Sequence, residues 1–261
     1  MNAGDLFKAG KLSEAVDAQL KEVKAKPADH GQRLFLFELL AFAGDLDRAQ
    51  RQIETINYND MELDAAVLAY RRLLDSERAR RRLFSESLVP RFFGDQPEHI
   101  KLRLEAVNRL RENRPAGAAE LLTKAAALMP ELKGELNGKP FSSLRDCDDL
   151  FSGVLEVMAQ GGYYWVPLEQ IDAISISAPK TPRDLLWLPA RLEMTESAGN
   201  IHLPVLYAGS HEHADNQVKL GRMTDWKSSE GGPTLGIGAK TFLADEDVVT
   251  LLDWRQLEIT R

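Results

Sequence analysis

The chain has 261 residues, 44% of them hydrophobic, and a formal net charge of −7 at pH 7. No stretch approaches the ~20 consecutive apolar residues of a membrane-spanning helix, and residues 1–5 lack the basic and apolar parts of an export signal. The single cysteine, Cys147, excludes an internal disulfide. We therefore expect a protein of the reducing cytoplasm without a membrane segment.

Charge is unevenly distributed along the chain. Residues 1–140 contain 23 Lys and Arg against 22 Asp and Glu, a net charge of +1, so the remaining residues carry −8. This change predicts a helical domain at 1–130 and a second domain at 141–261, joined by a Gly- and Pro-containing linker at 131–140. Nucleic-acid binding by the acidic half is not expected, because phosphate contacts need clustered cations.

A short segment of the first half occurs twice. Residues 43–49 nearly repeat residues 9–15 at an offset of 34 residues, which is the tetratricopeptide (TPR) period. In each copy a glycine ends one helix, and a Leu and an Ala begin the buried face of the next. A partial third copy surrounds Ala118. The period predicts degenerate, TPR-like helix pairs in an α-α superhelix; the alternative is an ordinary helix start, which uses the same pattern.

Apolar spacing also predicts the individual helices of this half. The predicted segments are 1–10, 12–25, a helix around 34–40, 46–57, 61–89, a helix around 100–110, and 115–129. The segment 34–40 is apolar on nearly all sides, so we expect it to be the most buried helix. Asn59 or Asp60 is the predicted cap of the long helix at 61–89.

The long helix carries the only strongly basic stretch of the sequence, which consists of Arg71, Arg72, Arg78, Arg80, Arg81 and Arg82. Glu77 and Arg81 lie four residues apart on its apolar face, a spacing that favours an ion pair. We interpret the pair as a solvated patch or, alternatively, as a polar anchor for a partner. The stretch is short and lacks interleaved aromatic residues, so docking of an acidic protein surface is preferred to nucleic-acid binding. Glu77, Arg78 and Arg81 are therefore candidate partner-binding residues.

The second half changes to short apolar runs that are separated by Gly, Pro and Asp, a pattern typical of strands. Residues 149–160 are the exception, because their apolar residues have helical spacing and a pair of glycines follows as a stop. We therefore predict a small α+β domain in which one helix precedes a mostly antiparallel sheet or barrel. The complete chain is predicted to be a multidomain α and β protein.

Acidic residues surround the cysteine, at Asp146, Asp148 and Asp149. An EF-hand loop would need further ligands, a glycine at its sixth position and a glutamate at its twelfth, and none lies in that register. We predict instead that these acids cap the following helix.

The Gly-rich segment 231–241 lacks the spacing of a phosphate-binding loop. No nucleophile with a matching base is recognisable, so we expect neither a cofactor nor catalysis.

Three histidines are the basis of the one alternative function that involves catalysis. His211 and His213 flank Glu212, and His202 is the only other histidine nearby. On a strand, alternate imidazoles would share a face, but a zinc site needs a third or fourth ligand. A solvated loop is the preferred interpretation. The alternative is a metal-dependent hydrolase that uses His202, His211 and His213.

Arg183, Asp184 and Trp187 are the last candidates. Tryptophans in a small sheet usually fill its core, and an adjacent Arg and Asp often brace a turn. The alternative is a surface that joins the two domains. We retain the three residues as candidate partner-binding residues.

Several motifs occur in a specific order along nearly the whole chain. In the first half they lie at residues 27–29 (Pro-Ala-Asp), 33–40 (Arg-Leu-Phe-Leu-Phe-Glu-Leu-Leu) and 44–49 (Gly-Asp-Leu-Asp-Arg-Ala). In the second half they lie at residues 137–141 (Asn-Gly-Lys-Pro-Phe), 145–149 (Arg-Asp-Cys-Asp-Asp), 154–156 (Val-Leu-Glu), 161–167 (Gly-Gly-Tyr-Tyr-Trp-Val-Pro), 182–187 (Pro-Arg-Asp-Leu-Leu-Trp) and 221–226 (Gly-Arg-Met-Thr-Asp-Trp). In this order the motifs resemble the ImpE family, also called SciE-type or TagJ proteins.

The resemblance implies a non-enzymatic accessory protein of the bacterial type VI secretion system. Such proteins are associated with the small subunit of the contractile sheath and with the AAA+ unfoldase that disassembles the spent sheath. Helix-pair repeats expose grooves that accept a partner helix. We therefore expect residues 1–130, with the region of Arg78 and Arg81, to hold a helix of the sheath small subunit, and we expect no nucleic-acid or membrane partner.

Overall fold

The structure is a computed structural model that describes residues 1–260. Its first half is helical, with α1 Ala3–Lys8, α2 Leu12–Ala25, α3 His30–Phe42, α4 Leu46–Glu54, α5 Met61–Ser85, α6 Glu98–Arg111 and α7 Pro115–Ala127. Asp29, Asp45 and Asp60 cap α3, α4 and α5, because each side chain accepts a hydrogen bond from a backbone N–H of the first turn. The predicted helices are present, but α5 ends at Ser85 rather than at residue 89.

The two repeat glycines adopt the predicted left-handed conformation, with φ of 78° at Gly10 and 79° at Gly44. Both also lie against the second half of the chain. A Cβ atom on Gly10 would stand 2.2 Å from Nε2 of Gln217, and one on Gly44 would stand 2.1 Å from Cδ2 of His211. The turns after α1 and α3 are therefore covered by residues of the second half. Helices α1 and α2 pack as a pair, as do α3 and α4, whereas a TPR-like superhelix stays a prediction.

The second half is built mainly from short strands. They are β1 Lys133–Leu136, β2 Lys139–Phe141, β3 Leu144–Asp146, β4 Val154–Ala159, β5 Gly162–Pro167, β6 Ala173–Ile176, β7 Trp187–Met194, β8 Ser197–Pro204, β9 Thr224–Lys227, β10 Leu235–Gly238, β11 Thr241–Ala244, β12 Asp247–Thr250 and β13 Gln256–Thr260, with a short helix, α8 Asn216–Lys219, before β9.

An eight-stranded sheet with the order β2-β1-β13-β6-β7-β8-β4-β5 forms the centre of this half. A three-stranded sheet, β12-β11-β3, and a two-stranded sheet, β10-β9, complete it. The pairings between these strands are antiparallel. The prediction of a mostly antiparallel sheet is confirmed.

Two predictions for this half differ from the structure. Residues 131–140, predicted as a linker, contain β1 and most of β2. Residues 149–160, predicted as a helix, form a turn followed by β4. All of residues 154–158 are buried, so both faces of β4 are covered. A strand of this kind has a continuous apolar run that also matches helical spacing, which explains the wrong assignment.

One hydrophobic cluster extends through both halves. It includes Leu36 and Phe37 of α3 together with Trp187 and Leu188 of β7, and α5 packs on β4 and β5. Helix α3 is buried along residues 36–42, as predicted for the most buried helix. No helix within residues 1–260 combines the length and apolar character needed to cross a membrane.

Candidate functional site: a cleft between the helices and the sheet

A cleft of about 580 Å³ opens where α5 and α6 meet the loops of the second half. We call it the α5–α6 cleft. Its apolar lining residues are Phe84, Val107, Leu110, Leu150, Phe151 and Leu235, and its polar rim consists of Arg81, Arg111, Glu212 and Lys227. Phe84, Leu110 and Leu235 are partly exposed, whereas the other three apolar residues are buried. An apolar floor beside a charged rim is suited to protein docking.

Aromatic contacts shape the floor. The rings of Phe84 and Phe151 meet edge to face, with centroids 6.4 Å apart. Tyr207 lies directly on Gly236, where a Cβ atom would stand 2.3 Å from the phenol ring. Only glycine permits this approach, so Gly236 allows Tyr207 to pack directly on β10.

Helix α6 is fixed beside the cleft by Arg103, which is fully buried. Its Nη1 donates to the carbonyl oxygens of Asp149 at 2.8 Å and Leu150 at 2.9 Å, and its Nη2 donates to Oγ of Ser152 at 2.8 Å. Burial lowers the pKa of Arg103 to about 10. The guanidinium therefore holds the turn at 149–152 against α6.

Beneath the floor lies a group of buried charged side chains, which we call the buried ionic cluster. Its members are Arg80, Asp146, Asp148, Glu156 and Lys240, together with the phenols of Tyr163 and Tyr207. Arg80 of α5 donates to the two carboxylate oxygens of Glu156 on β4, at 2.6 and 2.9 Å. Nζ of Lys240 lies 2.6 Å from Glu156 and 3.5 Å from Asp146. The cluster thus joins α5 to the sheet through charge-assisted contacts.

The carboxylates of the cluster have very different pKa values. Burial opposes ionisation of Glu156, but attraction to Arg80 and Lys240 outweighs it and lowers the pKa to about 2. Burial and the charge of Asp146 raise the pKa of Asp148 to about 7. Glu156 is therefore ionised at neutral pH, whereas ionisation of Asp148 is disfavoured by burial and by its neighbour Asp146.

Sequence reasoning missed the cluster as a unit. In the sequence, Arg80 belongs to the basic stretch of α5 and Glu156 belongs to the Val-Leu-Glu motif within the apolar run of β4, and nothing pairs the two. An acid inside a continuous apolar run is a signal for a buried ion pair, but nothing local identifies its partner 76 residues away. Lys240 lies in the Gly-rich segment 231–241, where no local pattern indicates a buried charge.

The acids beside Cys147 act as caps of a turn. Asp148 accepts hydrogen bonds through Oδ1 from the N–H groups of Leu150 at 2.8 Å and Phe151 at 3.3 Å, and through Oδ2 from Gly236 at 2.7 Å. Asp146 accepts from the hydroxyl of Tyr207 at 2.5 Å. The predicted capping role applies to a turn, because no helix follows.

The predicted anchor residues of α5 are engaged within the chain. Nε of Arg81 lies 3.1 Å from Glu77, and its Nη1 donates to the carbonyl oxygen of Gly44 at 2.8 Å. Arg78 contacts Asp47 at 3.2 Å. Of these three predicted residues, Arg81 lines the α5–α6 cleft.

Arg183, Asp184 and Trp187 lie where the sheet meets the helices. Arg183 pairs with Glu38 at 2.8 Å and stacks over the ring of Tyr70 at 4.2 Å. Trp187 is 4% exposed. The carboxylate of Asp184 accepts hydrogen bonds from the backbone at residues 180 and 181. These side chains therefore lie at the contact between the two halves, away from the cleft.

The three histidines of the alternative hydrolase lie apart. His202 is on β8 beside Met158 of β4, His211 packs on Gly44, and His213 contacts Asp225 at 3.3 Å. Burial lowers the pKa of both His202 and His211. No group of three or more His, Cys, Asp or Glu in residues 1–260 is arranged to hold a metal ion.

Known proteins resemble the chain over its full length. The family model described as ImpE protein matches residues 138–258. The type VI secretion system accessory component TagJ of Pseudomonas aeruginosa is 34% identical over 259 residues, which cover 99% of this chain and 91% of the relative. A crystal structure of a Vibrio parahaemolyticus protein has a TM-score of 0.91 and 25% identity, and the match covers 99% of this chain and 97% of that one. The similarity therefore includes both the helices and the sheet.

Proposed function

Because this chain belongs to the ImpE family, we propose that it is an accessory protein of a bacterial type VI secretion system that acts by binding other proteins rather than by catalysis. The accessory role is supported by the relationship to TagJ, which extends over nearly the whole of both chains. The non-enzymatic part of the proposal is supported by the ImpE family match and by the name of TagJ as an accessory component. In the buried ionic cluster, Arg80 and Lys240 are paired with Glu156, and the Arg80–Glu156 pair holds α5 on the sheet.

The proposed partner is a helix of the small subunit of the contractile sheath. The observation that carries this proposal is the α5–α6 cleft, in which partly exposed apolar side chains from α5, α6 and β10 converge beside charged groups. Its volume accommodates several side chains from one face of an amphipathic helix. Binding of this kind would present the sheath subunit to the AAA+ unfoldase and so assist sheath recycling.

The proposed binding site differs from the site expected from the sequence. The sequence predicted that residues 1–130, with the region of Arg78 and Arg81, hold the helix, whereas the cleft proposed here is formed jointly by α5, α6 and loops of the second half. Arg81 remains a proposed partner contact because it lines the cleft. The metal-dependent hydrolase is not proposed, since its three histidines do not converge.

Isothermal titration calorimetry of the full-length protein with the sheath small subunit tests the proposal. We expect binding to the intact subunit, loss of binding when the candidate helix of the subunit is deleted, and weakened binding by the cleft variant Leu235→Asp. The matched control is Val248→Asp on β12, which is 67% exposed and lies outside the cleft. An intact subunit that does not bind, or equal effects of the two variants, would contradict the proposal.

A further inference from the structure

Two basic side chains of the cleft rim, Arg111 and Lys227, lack carboxylate partners among residues 1–260. Nη2 of Arg111 contacts the amide oxygen of Asn108, but Nη1 is buried and has no hydrogen-bond partner. Lys227 is exposed at the end of β9. Arg81 differs, because Glu77 compensates its charge at 3.1 Å. A buried donor without an acceptor is unfavourable, so a group that supplies an acceptor to Arg111 would be bound favourably.

Acidic groups of the cleft do not neutralise these two cations. The oxygens of Asp148 accept backbone hydrogen bonds from Leu150 and Gly236, at 2.8 and 2.7 Å, and are therefore directed at the polypeptide. Glu212 is 73% exposed and lies 3.6 Å from His211. Arg111 and Lys227 are therefore rim cations without an ion-pair partner among residues 1–260, although the second half of the chain carries a net charge of −8.

Apolar surface lies beside this charge. Phe84, Leu110 and Leu235 line the same cleft and are only partly covered by the rest of the protein. A partner that contacts both the apolar surface and the two cations must therefore carry a large apolar side chain and an anionic group close together. On an amphipathic helix, residues three or four positions apart project from one face and meet this requirement.

We propose that the α5–α6 cleft recognises an acidic amphipathic helix, with a carboxylate placed between Arg111 and Lys227 and a neighbouring large apolar side chain packed on Phe84, Leu110 and Leu235. The inference rests on the proposed function and adds the chemistry by which the partner helix is selected. Charge complementarity of this kind suppresses binding of helices whose corresponding face is basic.

The test is a titration of the full-length protein with the sheath small subunit at low and high salt. The charge-reversal variant Arg111→Glu, Lys227→Glu is compared with the control Lys21→Glu, Lys24→Glu, which makes the same change in net charge on exposed positions of α2. We expect the cleft variant to weaken binding about tenfold or more, with a smaller salt dependence than the wild type, and the control to change affinity less than about twofold.

Circular dichroism and melting temperature check that the variants are folded. If charge reversal prevents folding, Arg111→Gln, Lys227→Gln is the replacement, with an expected loss of about threefold or more. If the wild type binds and a cleft variant binds equally well, the inference is overturned but the proposed function is not. The same holds if the control variant weakens binding as much as the cleft variant does. No binding by the wild type overturns the proposed function and this inference with it.

Discussion

Glu156 is 1% exposed and accepts contacts from Arg80, Lys240 and Tyr163. Such a carboxylate is stable in the interior only because its partners compensate the loss of water. Removal of its charge leaves Arg80 and Lys240 buried with less compensation. The free energy of unfolding is therefore sensitive to the charge of this one residue.

We predict that Glu156→Gln lowers the free energy of unfolding by about 3 kcal/mol at pH 7, the size that corresponds to lowering its pKa from 4.5 to about 2. The folded-state pKa lies below the unfolded value, so this stabilisation is complete above pH 4.5 and is lost as the pH falls towards 2. Urea unfolding of wild type and variant between pH 3 and 7 measures the difference.

The control is Glu120→Gln, which changes an exposed acid of α7 and is expected to alter stability by less than about 0.5 kcal/mol. A difference between wild type and Glu156→Gln that grows below pH 4.5 would contradict this account of the cluster.

At the scale of elements, local sequence signals were sufficient to predict the helices but were not sufficient to predict β4. The caps Asp45 and Asp60 and the left-handed Gly44 act within one turn of the chain, so the sequence around each contains its cause. The assignment of β4 depends on burial of both its faces by α5 and by the rest of the fold, which is a long-range property. Periodicity alone could not separate the two interpretations.

The turn between α3 and α4 provides the second prediction. Gly44→Ala places a Cβ in a left-handed conformation and 2.1 Å from Cδ2 of His211, so we expect a loss of about 2 kcal/mol or more in stability. The double variant Gly44→Ala, His211→Ala removes the contacts with the imidazole ring but keeps the Cβ of residue 211 at 2.9 Å, so it should recover only part of this loss.

Chemical denaturation measures both variants, with Gly199→Ala as the control. A Cβ on Gly199 meets no atom within 4 Å and the residue lacks a left-handed φ. If Gly44→Ala were as stable as this control, close packing of the second half on the repeat turn would be refuted.

At the scale of the whole molecule, the described halves are joined by two hydrophobic clusters and by two arginine–glutamate ion pairs. These pairs are Arg80 with Glu156 and Arg183 with Glu38. The α5–α6 cleft exists only because of this arrangement, since its lining extends from residue 81 to residue 236. Sequence reasoning identified Arg81 but had no means of bringing it together with Lys227 and Leu235.

We predict that the two halves unfold together. The seven helices α1–α7 dominate circular dichroism at 222 nm, whereas the four tryptophans, at residues 165, 187, 226 and 254, lie in the second half. Because the core is shared, the two signals should follow the same transition in urea. Separate midpoints, with the helices lost before tryptophan fluorescence changes, would show independent domains.

Hydrogen–deuterium exchange of the full-length protein, with and without the sheath small subunit, tests the central claim most directly. The account predicts slower exchange on binding at the C-terminal end of α5, the C-terminal half of α6 and the segments around residues 207–212 and 235–236, which together form the α5–α6 cleft. Protection confined to α1–α4, or to the sheet edge at β2 and β12, would place the partner elsewhere and contradict it.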